Sequence, residues 1–171
     1  MTYEAREEVP SVSDYINIRL SAGLSRKSPE AAAIGLKNGL FSVVVYFGAI
    51  PVGIGRVIGD GGCFFEIVDI AVLPEHQKKG LGHLIMQSLM KYIRANALPT
   101  AYVSLMADHG TPKFYERYGF EASLLPKKAG MALRITCRKC RLPPVEGMSH
   151  RKWSATSHLI HKTKRQYRAS F

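Results

Sequence analysis

The chain has 171 residues, of which 46% are hydrophobic, which is enough for one globular domain with a sizeable core. Its formal net charge of +11 is unevenly spread: residues 1–134 hold 15 Lys and Arg against 12 Asp and Glu, whereas residues 135–171 hold 9 against 1. This distribution leaves residues 1–134 only mildly basic, and we expect nucleic acid to be a partner only through the basic C-terminal segment.

The first predicted elements are two helices. Ser11 precedes apolar residues at helical spacing, which predicts a first helix over about 11–22. Pro29, at an early helical position, begins a second short helix that ends near Asn38. A short strand over residues 2–6 would precede both helices.

Three strands and a longer helix follow. β-branched and aromatic residues predict strands over 41–47, 52–58 and 64–72, and glycine-containing turns between them indicate an antiparallel meander. Apolar residues at spacings of three and four then predict a helix over about 80–96 with one clearly apolar face.

The remaining elements alternate in type. A strand over 101–106 is followed by a short helix over 112–118 that ends at Gly119, and two short strands near 120–124 and 130–136 would close the sheet. The predicted order is α-α-β-β-β-α-β-α-β-β. This order favours one α/β domain over residues 1–136, of the α+β type with a mixed, mostly antiparallel sheet.

Residues 137–171 contain one acidic residue and no sustained periodicity, which predicts a basic, disordered tail. We prefer a solvated extension to a nucleic-acid-binding segment, because composition alone supports the latter. Cys137 and Cys140 invite a zinc interpretation with His158 and His161, but the histidine spacing does not match the usual pattern, so no metal is expected.

The cellular location is predicted from what the sequence lacks. Three cysteines, one of them Cys63, are too few for a disulfide framework, which favours a reducing compartment. The acidic N-terminus lacks the apolar core of a signal peptide, and the apolar region from Phe41 to Ile54 is too short and too broken to span a membrane. We expect a soluble protein of the cytoplasm, with the nucleus as the alternative.

The stretch from Glu66 to Gly82 is the most informative in the chain. An apolar strand ends at Leu73 and Pro74, a basic turn with two glycines follows, and a helix begins. A loop of this kind can direct several backbone N–H groups at a phosphate, while the helix dipole and the charges of Lys78 and Lys79 add positive potential. The stretch therefore predicts a site for a phosphorylated cofactor.

Two common phosphate-binding motifs are absent from the sequence. The turn over 77–82 contains G-x-G but not the G-x-G-x-x-G of dinucleotide-binding proteins. No G-x-x-x-x-G-K-[ST] loop of nucleoside triphosphatases occurs either. These absences exclude the dinucleotide and triphosphate interpretations of the turn.

The chain resembles the GNAT superfamily of acyl-CoA-dependent N-acetyltransferases over about residues 3–136. The resemblance depends on three segments: the Q-x-x-G-x-G turn over 77–82, the strand that precedes it, which ends D-I-A-V-L-P, and the F-Y-x-x-x-G-F sequence over 114–120. One departure is Ala107 to Gly110, where many members carry Asn.

The resemblance implies a GNAT-like fold with a central sheet splayed at the cofactor strand, and acetyl-CoA as the co-substrate. Its pantetheine arm would pair beside the strand, and its pyrophosphate would lie over the loop amides. The cofactor-binding residues implied are Ile70, Ala71, Val72, Gln77, Lys78, Lys79, Gly80, Leu81, Gly82 and His83.

Two residues are candidate catalytic groups. The family commonly places a tyrosine where Tyr115 stands, and a phenol in hydrogen-bond reach can protonate the departing thiolate. Phe114 beside it is expected to be core packing. Glu66 lies in an apolar strand, where a carboxylate becomes a better proton acceptor, and its position resembles that of the catalytic glutamate in the histone-acetylating branch of the superfamily.

Other assignments of the base stay open. Glu66 could equally be a salt-bridged or solvent-facing edge residue, and a water chain could take the proton. Asp69 is the competing carboxylate, but odd spacing in a regular strand would send it to the opposite face unless a bulge intervenes.

We expect transfer of an acetyl group to a primary amine of a small molecule by direct attack in a ternary complex, because no activated nucleophile stands out. The acceptor would enter beside the first two helices, where Tyr15, Arg19, Leu24 and Ser25 could line its site. Arg19 hints at an acidic group on the acceptor, although a surface salt bridge would also explain it. The alternatives are a protein lysine acceptor, or a CoA-binding or nucleic-acid-docking module without turnover. Edge pairing through the C-terminal strands would form a homodimer.

Overall fold

The computed structural model describes residues 2–108 and 110–121. The elements in chain order are β1 (Tyr3–Arg6), α1 (Val12–Ser21), α2 (Pro29–Lys37), β2 (Phe41–Phe47), β3 (Ile50–Gly59), β4 (Phe64–Val72), a 3₁₀ turn (Pro74–His76), α3 (Leu81–Asn96), β5 (Tyr102–Leu105) and α4 (Pro112–Glu116). Each predicted element within this range is present, and the predicted order is confirmed for them.

The described strands form one open sheet in the order β1-β2-β3-β4-β5. Neighbouring strands from β1 to β4 pair antiparallel, which confirms the meander, and β5 pairs parallel to β4. The parallel pair needs a crossover, which α3 supplies between the two strands. The sheet is therefore mixed and mostly antiparallel, as the sequence predicts.

Alternation along β3 shows which helices cover each face of the sheet. A Cβ on Gly55 would lie 2.3 Å from the side chain of Ile85 in α3, so α3 packs closely against this position. The next residue, Arg56, instead reaches the carbonyl oxygen of Gly35 in α2. Because successive residues of a strand point to opposite faces, α3 covers one face, and α1 and α2 cover the other.

The core lies mainly between α3 and the central strands. Ile85, Met86 and Leu89 are fully buried, as are Val43 and Val57 of the strands beneath. The spacing of three and four that predicts the apolar face of α3 is the spacing of these buried residues. Close packing of α3 fixes its N-terminus relative to the end of β4, which is where the candidate site lies.

Several predictions fall outside the described residues. They are the strand segments over 122–124 and 130–136, the basic tail over 137–171, and the zinc interpretation of Cys137, Cys140, His158 and His161. The proposed dimer edge belongs to the same C-terminal strands. In the described part of the chain, no helix is long and apolar enough to cross a membrane.

Candidate acyl-CoA site

The loop after β4 is held in place by side chains on both sides. The Gln77 side-chain amide donates to the carbonyl oxygen of Val72 at 3.0 Å, which fastens the loop to the end of the strand. The Nδ1 atom of His76, the residue before Gln77, lies 2.9 Å from the hydroxyl oxygen of Tyr3 in β1. Lys79 donates from Nζ to the carbonyl oxygen of Glu75 at 2.9 Å. The loop is therefore preformed rather than slack.

The first turn of α3 leaves its backbone donors without an intramolecular cap. Lys78 and Gly80 adopt positive φ angles of 58° and 83°, and Gly80 occupies the cap position without a side chain. The first helical bond runs from the Leu84 N–H to the Gly80 carbonyl, so the N–H groups of the turn before it find no acceptor in the helix. In α1 and α2, by contrast, Ser11 and Ser28 cap this position.

A cavity of about 530 Å³ lies beside this helix start. It brings together eight of the ten predicted cofactor-binding residues and the predicted acid Tyr115. Its lining is Ile70, Val72, Gln77, Lys78, Gly80, Leu81, Gly82, His83, Asp108, Gly110, Thr111, Phe114 and Tyr115. The two predicted residues outside the lining are Ala71, which is buried, and Lys79, whose amino group bonds back to the loop.

The strand edge beside the cavity has no neighbour in the described sheet. The last residues paired between β4 and β5 are Ile67 and Leu105. From Val68 to Val72, β4 continues without β5, while it stays paired to β3 on its other side. This is the splay that the resemblance implies, and it leaves backbone groups beside the cavity that an extended ligand could pair with.

Tyr115 lies on α4 and is half-buried between two cavities. Its ring lies edge-on to Phe114, with centroids 5.0 Å apart. It lines the cavity at the α3 N-terminus and a second one of about 300 Å³ beside β5. Burial, with a smaller contribution from the negative charge of Asp108, raises the pKa of Tyr115 above its ordinary value. The phenol therefore keeps its proton at neutral pH.

Sequence reasoning missed an aromatic cluster that joins α3 to the segment carrying Tyr115. His83 in the first turn of α3 bonds through Nδ1 to the Tyr118 hydroxyl at 2.7 Å. Phe114 lies against His83, with centroids 4.9 Å apart, and its ring would be 3.4 Å from a Cβ on Gly82. Phe114 therefore lines the cavity in addition to packing against its neighbours. The F-Y-x-x-x-G-F sequence, which begins at Phe114, was the signal that could have indicated this cluster.

Asp69 does not lie where regular alternation predicts. Its φ of 60° and the register shift opposite Gly55 form a β-bulge, in which Asp69 and Ile70 together oppose one residue of β3. The carboxylate bonds to Arg19, Tyr15 and Arg56, on the face covered by α1 and α2. The prediction that odd spacing separates Asp69 from Glu66 is therefore wrong.

Glu66 lies on the same face of β4, because the register pairs it with Ile58, two residues from Arg56 in β3. It is partly exposed and lines neither of the two cavities described. Asp69, in contrast, already has three bonding partners. Among the described residues, no ion pair engages the carboxylate of Glu66.

The predicted acceptor-binding residues divide into two pairs. Tyr15 and Arg19 are buried, with 3% and 5% of their surface exposed, and both bond to Asp69. Burial lowers the pKa of Arg19 and of Arg56. Arg19 therefore takes part in a buried ion pair rather than a surface salt bridge. Leu24 and Ser25 lie in the partly exposed connection between α1 and α2, and the Ser25 carbonyl accepts from Arg19 at 2.9 Å.

The fold agrees with comparisons to known proteins. Residues 38–122 match the acetyltransferase (GNAT) domain family. A protein of unknown function from methicillin-resistant Staphylococcus aureus, named as a probable acetyltransferase, is 42% identical, covering 78% of this chain and 100% of its own, with a TM-score of 0.74. This chain belongs to the GNAT family of acetyltransferases.

Two curated relatives are each named as an uncharacterized N-acetyltransferase, ycf52. The protein of Porphyra purpurea is 33% identical over 40% of this chain and 38% of its own length. That of Gracilaria tenuistipitata var. liui is 24% identical over 64% of this chain and 65% of its own. The matches thus span less than two thirds of either relative. These two matches support the assignment of the GNAT domain in this chain and do not identify its acceptor.

Proposed function

We propose that this protein transfers an acetyl group from acetyl-CoA to a primary amine of a small molecule, by direct attack in a ternary complex. One observation carries the proposal. The uncapped first turn of α3, the unpaired edge of β4 and the phenol of Tyr115 all border one cavity. The helix start would bind a phosphate group, the strand edge would pair with an extended amide-containing arm, and the phenol would protonate a leaving thiolate.

The fit to acetyl-CoA is supported at each of these places. The backbone donors at Gly80, Leu81 and Gly82 suit a pyrophosphate, because anions bind favourably at helix N-termini. Lys78, exposed beside them, adds positive potential. The amides and carbonyls of β4 from Val68 to Val72 suit the amide groups of a pantetheine arm, as a strand edge pairs with extended chains. Acetyl-CoA supplies the activated thioester.

The transfer requires three proton movements. Glu66, directly or through water, takes the first proton from the ammonium form of the acceptor, which predominates at neutral pH, and a neutral amine results. The amine nitrogen then forms a bond to the acetyl carbon, and the bond from that carbon to sulfur breaks with its electron pair on sulfur. Tyr115 gives its proton to the departing thiolate, and the second proton of the attacking nitrogen, lost as the amide forms, returns to the Tyr115 phenolate. Strand amides near Ile70 would stabilise the negative charge that develops on the carbonyl oxygen.

The test of activity is thiol release from acetyl-CoA over a panel of polyamines, arylalkylamines, amino acids and histone peptides. Turnover with small amines supports the proposal. Turnover only with the histone peptides would assign a protein lysine as the acceptor. Tight CoA binding without turnover on any member would contradict the enzyme and support a CoA-binding module.

The role of Tyr115 is tested by the Tyr115→Phe variant. We expect kcat to fall by about a hundredfold or more, because a positioned acid contributes about 10²–10⁴-fold. Tyr92→Phe is the matched control, since Tyr92 stacks on Phe41 away from the cavity. Full turnover by Tyr115→Phe would remove it from the mechanism.

The role of Glu66 is tested by the Glu66→Gln variant over a range of pH. The loss of kcat/KM should be greatest at low pH, where the amine is most protonated and its deprotonation is hardest. A loss that is equal at all pH values, or no loss, would contradict the assignment of Glu66 as the base.

A further inference from the structure

The bulge in β4 contains a residue in an unfavourable backbone conformation. Asp69 has a φ of 60°, a left-handed conformation that residues other than glycine adopt uncommonly, Asp and Asn more often than the rest. Such a conformation persists only where surrounding contacts hold it.

Three side chains from two elements hold the carboxylate of Asp69. In α1, the Tyr15 hydroxyl donates to Oδ2 at 3.0 Å, and Arg19 forms an ion pair with Oδ1. In β3, the Nη1 atom of Arg56 lies 3.5 Å from Oδ2 of Asp69. The side chains of both arginines are 6% exposed, and that of Asp69 is 11% exposed. In this buried setting the contacts are weakly screened and orient the carboxylate firmly.

The bulge places consecutive residues in different surroundings. Asp69 faces the buried arginines, whereas the next residue, Ile70, lines the cavity at the α3 N-terminus. The conformation of Asp69 sets the direction in which the backbone of Ile70 leaves the bulge. A group that fixes Asp69 therefore fixes the strand edge on which the proposed thioester would lie.

We propose that Asp69, with Tyr15 and Arg19, positions the Ile70 segment of β4 for acetyl transfer. This inference rests on the proposed function. Asp69 acts through the backbone of the next residue and is a positioning residue, not the base. Arg19 also binds the Ser25 carbonyl at 2.9 Å. The same guanidinium group thus holds the connection between α1 and α2 in register with the cofactor strand.

The test uses the double variant Arg19→Gln/Tyr15→Phe and both single variants in the full chain. Removing Arg19 leaves Asp69 paired with Arg56, so one carboxylate balances one guanidinium group and folding is preserved. We expect kcat of the double variant to fall by about tenfold to a hundredfold, because misplacement by about 1 Å can cost a hundredfold. KM for acetyl-CoA should change by less than about threefold, and each single variant should lose less.

The matched control is Arg6→Gln, which removes an arginine from the exposed pair with Glu4 on β1. Rates are expressed per folded molecule, measured by near-ultraviolet circular dichroism. A purely structural role would lower the melting temperature and leave kcat per folded molecule unchanged, and that result would overturn the inference. A rise in acceptor KM at constant kcat would instead make Arg19 an acceptor ligand, and would also overturn it.

A second readout separates this inference from the proposed function. The Ile70 amide resonance in the free protein reports the bulge without any turnover. We expect it to shift in the double variant and to stay unchanged in Arg6→Gln. An unshifted Ile70 resonance in the double variant would overturn the inference even if the wild type is active. An inactive wild type with a shifted resonance would reject acetyl transfer while supporting the positioning of Ile70.

Discussion

Two pairs of positively charged residues in this molecule differ in where the structure places their charge. Lys78 and Lys79 are exposed beside a helix start that no side chain caps. Arg19 and Arg56 are buried on either side of Asp69, which already neutralises part of their charge. The charges of Lys78 and Lys79 are exposed to solvent, whereas those of Arg19 and Arg56 form ion pairs inside the protein. Positive charge therefore indicates an anion site only where it is exposed and unpaired.

The strongest test of this comparison is the Asp69→Ala variant. It leaves two buried guanidinium groups without a carboxylate, and breaking a buried pair by removing one partner costs about 3–5 kcal/mol. We expect the free energy of unfolding to fall by that amount in urea denaturation. Glu7→Ala is the control, because its pair with Lys91 is exposed and is worth about 0–1 kcal/mol. Equal losses in the two variants would contradict the distinction.

A smaller effect is expected in the exposed region from the double variant Lys78→Ala/Lys79→Ala. CoA binding, measured by calorimetry, should weaken by up to about thirtyfold at low salt, because each exposed pair contributes at most about 1 kcal/mol. The loss should shrink at high salt, where exposed charges are screened, and stability should barely change. Lys37→Ala, on the exposed end of α2, should bind CoA as the wild type does.

Replacing Gly80 tests the backbone of the exposed region. Gly80→Ala meets no atom within 4 Å but adopts a φ of 83°, so its cost is conformational, about 1–2 kcal/mol. We expect a loss of stability of that size and weaker CoA binding, because relaxation of the loop moves the first turn of α3. Unchanged CoA affinity would show that the left-handed turn is not needed for the anion site.

The smallest change is expected from alkaline pH. The pKa of Tyr115 is raised by burial, so its proton is present up to the ordinary phenol value near 10 and is lost only as pH rises through the higher folded value. The kcat profile should therefore stay within about twofold from pH 8 to 9.5. A decline in that window that Tyr115→Phe abolishes would contradict the pKa direction.

Much of the fold could be predicted from the sequence because its signals are local. The apolar spacing of α3, the β-branched strands and the glycine-containing turns gave element bounds within a few residues, and β2 and β4 match their predicted ranges. The turn over 77–82 could be identified for the same reason. The groups expected to bind an anion are backbone amides of consecutive residues, so the sequence that forms the loop also forms the candidate site.

The sequence could not predict the surroundings of Asp69. Regular alternation placed it opposite Glu66 unless a bulge intervened, and Arg19 was expected to form a surface salt bridge or to meet an acidic group on the acceptor. The bulge opposite Gly55 breaks the alternation. The ion pair of Arg19 is buried rather than on the surface, because Arg56 and Tyr15, which join it around Asp69, come from elements distant in sequence. Pairing across β3, β4 and α1 is a non-local property that no spacing along one segment contains.

The sequence by itself determined the order of the described elements and the glycine-containing turn at the start of α3, since both depend on neighbouring residues. That this turn binds a phosphate stays a prediction. Only the tertiary structure decided which charged side chains are exposed to solvent and which form ion pairs inside the protein. It buried Arg19 and Arg56 against Asp69. Within residues 2–108 and 110–121, it also left the first turn of α3 without a side-chain cap, beside the part of β4 that β5 does not pair with. The physical reason is that burial and ion pairing determine how strongly a charged side chain can interact with a ligand. Both arise only when segments distant in sequence pack together.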